Sequence, residues 1–160
     1  MNGFERCVEF ILKYESEFSD DPHDSGGLTK WGISSRVYPE VKDSAFARAD
    51  AIQILHRDYW AKCKCDQLPQ PIAFVLCDSA VNQGQPIAIR LLQKSLAVNP
   101  DGVVGAQTIA AAFRASPYLV VPEFVARRGY QYSLHPDVTR FGLGWYRRLA
   151  ECHQLALQPQ

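Results

Sequence analysis

The sequence predicts a mainly α-helical fold with one small β-hairpin, and three observations lead to this expectation. Apolar residues recur at helical spacing along almost the whole chain of 160 residues. One stretch near the N-terminus, residues 18–33, instead combines turn-forming residues with a short alternating pattern. A hydrophobic content of 47% is sufficient for a real core in a chain of this length.

The first helix is predicted to begin after Asn2, which suits the N-cap, and to end at about Tyr14. Its apolar stripe is continued by Glu15, whereas Glu5 and Glu9 lie on the opposite face. A carboxyl group at the rim of an apolar face is partly desolvated and keeps its proton more readily, as a glycosidase general acid must. The alternative interpretation is that Glu15 is only the exposed last residue of the helix.

The segment after this helix contains a proline and a Gly–Gly pair, which favour turns over helix. Its last residues alternate, and this pattern places Thr29, Trp31 and Ile33 on one face of a short extended segment. We expect a hairpin here that brings Asp24 and Thr29 back over Glu15.

The rest of the chain is predicted to be helical, and a division into two regions, 1–84 and 85–160, within one compact unit is expected. The predicted helices are a short one between Ser34 and Pro39 and longer ones at about 45–61, 72–83, 86–96, 106–114, 122–134 and 145–155. Asp78 and Asn82 are i,i+4 neighbours, so both can face one cleft. A local hydrogen bond between them at the surface is the alternative.

Composition argues against several function classes. The formal net charge is zero, so we expect no nucleic acid partner, because phosphate binding usually leaves a basic footprint. The chain has no apolar run of about 18 residues and no visible secretory signal, so we expect neither stable membrane insertion nor a signal peptide. Five cysteines, an odd number, suggest reduced thiols in a chain made in the cytoplasm.

No cofactor or metal is expected. The sequence contains no phosphate-binding loop, no nucleophile elbow and no zinc-protease pattern, and its four histidines lack metal-ligand spacing. The aspartates near Pro22 do not follow the order of a calcium-binding loop, and Cys63 and Cys65 are not spaced as zinc ligands. Carboxylate chemistry is therefore the simplest remaining option.

Several motifs together resemble the glycoside hydrolase family 108 lysozymes, which are also described as secretion-activating muramidases. The similarity covers nearly the whole chain in the family's order. The matching segments are Glu15–Phe18, Asp21–Pro22, Asp24–Ile33 (DSGGLTKWGI), Asp58–Trp60, Asp78–Gly84 (DSAVNQG), Leu91–Gln93, Asp101–Thr108 (DGVVGAQT) and Arg140–Trp145 (RFGLGW). The later segments resemble a C-terminal peptidoglycan-binding region.

This resemblance implies a lysozyme-like helical fold and cleavage of the β-1,4 bond between N-acetylmuramic acid and N-acetylglucosamine. The essential glutamate of the family maps to Glu15. The family's Gly–Gly after this glutamate is replaced by Ser16 and Glu17, and its tyrosine by Phe18. This departure places side chains where the family has none, and it puts a second carboxylate beside the expected catalytic acid.

The expected mechanism uses Glu15 as general acid. Asp24 is the first choice for the second catalytic group, with Thr29 positioning water, because their order resembles the Glu–Asp–Thr arrangement of phage-type lysozymes. Asp78 is the second choice. Trp31 and Tyr59 are candidates to stack on sugar rings, or else core aromatics, and Asn82 is a candidate to bind an N-acetyl group.

Two rival functions remain open at this point: a lytic transglycosylase, which also needs one acidic glutamate, and a non-catalytic wall-binding module. The expected partner is the peptidoglycan glycan strand, and a monomer is expected. Without a signal peptide, the enzyme would reach periplasmic peptidoglycan through a phage holin or a dedicated secretion route. The sequence does not choose between phage lysis and remodelling of the host wall.

Overall fold

The computed structural model describes residues 2–15 and 28–159. Over these residues the fold is mainly helical, with seven α-helices and one two-stranded antiparallel sheet, as the sequence predicts. The chain packs as two compact units, Met1–Asp58 and Tyr59–Gln160. The predicted division into functional regions 1–84 and 85–160 within one compact unit stays a prediction.

The first unit is built around one amphipathic helix and a hairpin. Asn2 accepts a hydrogen bond from the Glu5 backbone at 2.9 Å, and the Glu5 carboxylate accepts one from the Asn2 backbone at 2.9 Å, which caps the first helix at its start. The elements are α1 (Gly3–Tyr14), β1 (Thr29–Lys30), β2 (Ile33–Ser34), a 3₁₀ turn (Pro39–Lys42) and α2 (Arg48–Ile54).

The second unit is a helical bundle centred on α3. After the π-helical segment Leu55–Trp60, which joins the units in sequence, the elements are a 3₁₀ turn (Cys65–Gln67), α3 (Gln70–Gln83), α4 (Gln85–Ser95), α5 (Ala106–Arg114), α6 (Pro117–Ser133) and α7 (Val138–Leu157). Every residue of α3 from Ile72 to Ala80 is buried, because α4, α6 and α7 all pack against this helix.

The structure corrects several predicted helix boundaries that lie near prolines and glycines. Pro39 begins a 3₁₀ turn instead of ending a helix, and Pro117 begins α6, with Pro122 inside that helix. A proline fits the first helical turn because its missing N–H has no partner there in any case. Helix α7 begins at Val138 and runs through both Gly142 and Gly144, because its packing against α6 outweighs their low helix propensity.

In the described part of the chain, no single helix is long and apolar enough to cross a membrane. Among the helices of the described residues, only the pair α5 and α6, bent by 119° relative to each other, meets that requirement when taken together.

Candidate active site

Glu15 lies at the C-terminal end of α1, directly after the last helical residue. Its backbone N–H still donates to the Ile11 carbonyl at 3.1 Å, and the chain then leaves the helical conformation, with φ −95° and ψ 124° at Glu15. The buried residues of this helix are Gly3, Cys7, Val8, Phe10 and Ile11. The Glu15 side chain is half-buried, so α1 delivers a carboxyl group at the edge of its apolar face.

The predicted hairpin is present, but Trp31 has a different position from the one expected. Thr29 pairs with Ser34 and Lys30 with Ile33, so Trp31 and Gly32 form the two-residue turn instead of continuing a strand. Both have positive φ angles, 54° and 77°, as in the type I′ turns that match the twist of a hairpin. The expected alternation that placed Trp31 on the strand face with Thr29 is therefore wrong.

The hairpin turn contacts the Glu15 side chain. A Cβ atom built on Gly32 would lie 2.6 Å from Cγ of Glu15 and 3.0 Å from its Cβ. No side chain fits at position 32, both for this steric reason and because its φ of 77° favours glycine. The backbone of the turn and the carboxyl-bearing chain of Glu15 are therefore held in direct contact.

Two further hydrogen bonds hold the hairpin in place. The Ser35 backbone donates to the Leu28 carbonyl at 2.7 Å, which extends the ladder beyond the two strands. The Lys30 ammonium group donates to the Asp43 carbonyl at 2.7 Å. Thr29 is half-buried on β1. Thus Thr29 and Trp31 both belong to the hairpin whose turn contacts Glu15.

Asp24, the predicted second catalytic group, lies outside the described residues. So do Ser16 and Glu17, where the sequence departs from the family's motif. The predicted contacts of these three residues with Glu15 stay predictions.

Asp78 is buried completely and lies between two arginines. Its Oδ2 is 2.6 Å from Nη1 of Arg128, and its Oδ1 is 2.7 Å from Nη2 and 3.0 Å from Nε of Arg148. The three residues tie α3 to α6 and α7. Both carboxylate oxygens are thus engaged, and this geometry supports a structural role for Asp78 instead of the predicted contact with substrate.

The charges of this cluster keep it ionised. Burial alone raises the pKa of the Asp78 carboxyl, but the positive charges and hydrogen bonds of Arg128 and Arg148 outweigh this effect and hold that pKa below its ordinary value. Burial raises the pKa of the neighbouring Tyr132 hydroxyl. Asp78 is therefore a carboxylate at neutral pH, unlike a group that must donate a proton.

Asn82 lies on the exposed side of the same helix and accepts a hydrogen bond from the Tyr132 hydroxyl. The alternative, a local hydrogen bond between Asp78 and Asn82, is wrong, because Asp78 pairs with Arg128 and Arg148. Tyr59 is half-buried within the π-helical segment Leu55–Trp60, a kind of distortion that is frequent at functional sites. The roles of Asn82 and Tyr59 in substrate binding stay predictions.

Known proteins share sequence and fold similarity with this chain. The sequence model of the family described as Glycosyl hydrolase 108 matches residues 8–84. A solved structure of SagA from Brucella abortus is similar to this chain with a TM-score of 0.87 and 29% sequence identity, and the match covers 96% of this chain and 93% of that one. A search of curated protein sequences finds no significant match.

A helical lysozyme-like fold with a glutamate closing the first helix, together with these matches, defines a glycoside hydrolase directed at peptidoglycan. The family model matches residues 8–84, which include Glu15, the hairpin and Asp78, so this part of the chain is similar to the glycosyl hydrolase 108 domain. The resemblance to the glycoside hydrolase 108 lysozymes seen in the sequence motifs is thereby confirmed, whereas the C-terminal peptidoglycan-binding region stays a prediction. The non-catalytic wall-binding module, which the sequence alone left open, is set aside.

Sequence reasoning missed two features of this region. One is the turn glycine Gly32, although a glycine directly after an alternating run is a sequence signal for a turn. Arg128 and Arg148 were not singled out, because their partner Asp78 lies 50 and 70 residues away in the chain. No local sequence pattern indicates an ion pair between residues that are so far apart in the chain.

Proposed function

We propose that the protein is an N-acetylmuramidase that hydrolyses the β-1,4 bond between N-acetylmuramic acid and N-acetylglucosamine, with Glu15 as general acid. The observation that carries this proposal is the position of Glu15, half-buried at the end of α1 and in contact with the hairpin turn. A general acid needs a fixed position and limited exposure to water, and a helix terminus packed against a tight turn supplies both.

In the proposed reaction, the protonated Glu15 carboxyl donates its proton to the leaving glycosidic oxygen as the bond from the N-acetylmuramic acid anomeric carbon breaks. Positive charge develops on the sugar ring, and water adds to that carbon while one of the water protons passes to a carboxylate. Glu15 is the group proposed for the first proton transfer, because glycosidic cleavage without an acid would release an alkoxide.

Asp24 is the proposed second catalytic group, and Thr29 is proposed to position the water. The burial of Asp78 between two arginines favours Asp24 over Asp78, because an ion-paired carboxylate without exposed surface is poorly placed to meet a sugar or a water. Trp31 and Tyr59 are proposed to contact sugar rings. Trp31 is held with a φ of 54° in the turn beside Glu15, and such strained positions of non-glycine residues cluster at functional sites.

The protein is further proposed to act as a monomer on peptidoglycan strands in the periplasm, after release from the cytoplasm by a holin or a dedicated secretion route. All five cysteines are buried free thiols, which is consistent with synthesis in a reducing compartment. Fractionation of cells that express the chain with and without a holin tests this route. Appearance in the periplasm without either route would contradict it.

Product analysis tests the proposed reaction. Purified peptidoglycan digested by the wild-type protein and examined by mass spectrometry should yield fragments with N-acetylmuramic acid at the reducing end, each heavier by one water than the anhydro form. Reducing-end N-acetylglucosamine would contradict the bond specificity. Anhydromuramic ends would show a lytic transglycosylase instead of a hydrolase.

A further inference from the structure

Asp58 is a carboxylate of the first unit that the proposed reaction does not use, although it is almost completely buried. Its side chain is 10% exposed, and its Oδ2 accepts two hydrogen bonds from the neighbouring Arg57, from Nε at 3.0 Å and from Nη2 at 2.6 Å. The same oxygen accepts a third bond from the Tyr38 hydroxyl at 3.1 Å. Burying a carboxylate costs free energy unless such contacts hold it. Of the three bonds, the one from Tyr38 links Asp58 to a segment 20 residues away in the chain.

Tyr38 belongs to a tight turn that directly follows the hairpin strand β2. The Ser34 carbonyl accepts hydrogen bonds from the backbone N–H groups of Val37 at 3.2 Å and Tyr38 at 3.0 Å. The Ser34 hydroxyl accepts a further bond from the Arg36 backbone at 3.2 Å. Ser34 is also the last residue of β2 and pairs with Thr29 across the hairpin. Because these bonds all meet at Ser34, a movement of Tyr38 is passed on to the hairpin.

The hydrogen bond between Tyr38 and Asp58, called the hairpin tether below, is stronger than the bond that holds the other strand. On β1, the Lys30 ammonium group donates to the Asp43 carbonyl at an exposed position, where water competes for both groups. The hairpin tether is partly buried and ends on a carboxylate. Hydrogen bonds to an ionised group are roughly twice as strong as those between neutral groups. The hairpin tether is therefore the firmer of these two connections.

The segment that carries Asp58 also contacts α1, the helix that ends beside Glu15. The His56 ring packs edge-on against the ring of Phe4 in the first turn of α1, with centroids 4.7 Å apart and an interplanar angle of 83°. This segment is π-helical, a distortion that is frequent at functional sites. One short stretch of chain thus contacts both α1, through His56, and the turn after the hairpin, through Asp58. These are the two elements that meet at Glu15.

We propose that Asp58 is a positioning residue for the reaction, because the hairpin tether holds the hairpin turn against the Glu15 side chain. With the tether intact, the turn backbone limits the positions open to the Glu15 carboxyl group. Without it, the hairpin moves more freely, and the carboxyl group spends less time where it can reach the leaving oxygen. Asp58 itself transfers no proton and acts only through Tyr38 and the hairpin. The inference rests on the proposed role of Glu15 as general acid.

Tyr38→Phe tests the proposal, since it removes the tether hydroxyl and keeps the ring. In amide hydrogen exchange followed by NMR without substrate, the Ser35 N–H, which donates to the Leu28 carbonyl at 2.7 Å, should exchange roughly tenfold faster, as for one lost hydrogen bond to a charged group. The amides of α3 should keep their rates. On peptidoglycan, kcat should fall by roughly tenfold with little change in KM.

The two measurements fail in distinguishable ways. Unchanged exchange at Ser35 would overturn the hairpin tether whether or not the protein is a muramidase, because no substrate is present. Faster exchange with an unchanged kcat would overturn the positioning role of Asp58. Failure of the proposed function is seen separately, in the products that the wild-type protein releases from peptidoglycan.

Two further variants complete the design. Tyr146→Phe is the matched control, because it removes a hydroxyl that donates to the Gly129 carbonyl at 3.0 Å in the second unit; exchange at Ser35 and kcat should both stay at wild-type values. Asp58→Ala removes the acceptor and should lower kcat at least as much as Tyr38→Phe. Since the two side chains act through one hydrogen bond, adding Tyr38→Phe to Asp58→Ala should cause no further loss. Losses that multiply in the double variant would overturn the route through Tyr38.

Discussion

Replacing Gly32 by alanine tests the contact between the hairpin turn and Glu15. The new Cβ would lie 2.6 Å from Cγ of Glu15, so the two atoms must separate by about 0.8 Å to reach the 3.4 Å of an ordinary contact. Movement of a side-chain tip cannot relieve this clash, because one partner is the backbone of the turn and the other is the part of the Glu15 side chain nearest its backbone. The glutamate, the turn, or both must move.

The size of the effect follows from that displacement. A misplacement of about 1 Å in a catalytic group can cost on the order of 100-fold in rate, so kcat of Gly32→Ala on peptidoglycan should fall by roughly 30- to 100-fold. Backbone strain at a positive φ adds a loss of about 1–3 kcal/mol in the free energy of unfolding. Turbidity clearing of peptidoglycan suspensions gives the rate, and denaturant unfolding gives the stability.

Gly84→Ala is the matched control for backbone strain. Gly84 has a φ of 87°, but a Cβ built on it meets no atom within 4 Å. This variant should therefore lose stability while the folded fraction keeps wild-type activity. If Gly32→Ala kept full activity per folded molecule, or if Gly84→Ala lost as much, the direct contact between the turn and Glu15 would not be what positions the acid.

Two further predictions concern Asp78 and Trp31. Asp78→Asn should lower the free energy of unfolding at pH 7 by about 3–5 kcal/mol, because it leaves two buried arginine charges without their counterion. Since the pKa of Asp78 is lower in the folded than in the unfolded protein, this stabilisation is complete above about pH 4 and is lost as the pH falls through the folded pKa. The difference in the free energy of unfolding between wild type and Asp78→Asn should therefore be smaller at pH 3 than at pH 7. An equal difference at both pH values would contradict the ion-pair account. Trp31→Gly places the residue that tolerates a φ of 54° in the turn, so Tm should not fall, whereas KM for peptidoglycan should rise by about tenfold through loss of the ring contact. A fall in Tm with unchanged KM would mark Trp31 as a core aromatic.

Helices with clear apolar periodicity could be predicted from the sequence because their period alone identifies the buried face. Helix α5 has the predicted bounds, and α1 has the predicted cap at Asn2. Predictions failed where a residue's effect depends on its neighbours in space. The α7 glycines are held inside the helix by packing against α6, and Trp31 adopts a left-handed backbone that alternation along a strand cannot indicate.

The position of Glu15 could be predicted from the sequence for a similar reason. Its place on the helical stripe is a local property, and half-burial at the end of α1 follows from it. The surroundings of Asp78 could not be predicted, because its i,i+4 relation to Asn82 gives no information about arginines on α6 and α7. A buried carboxylate with charged partners and a cleft carboxylate give the same sequence pattern, and only the packing of α3 separates them.

Hydrolysis by Glu15→Gln is the most direct measurement of the central claim that Glu15 is the general acid. Glutamine keeps the size of the side chain but cannot donate the proton, so the rate of release of reducing ends from peptidoglycan should fall by at least about 100-fold. Glu9→Gln makes the same change on the exposed face of α1, where Glu9 pairs with Arg48 at 2.7 Å, and its rate should stay near that of the wild type. Equal rates for Glu15→Gln and Glu9→Gln, with both proteins folded, would contradict the assignment of Glu15.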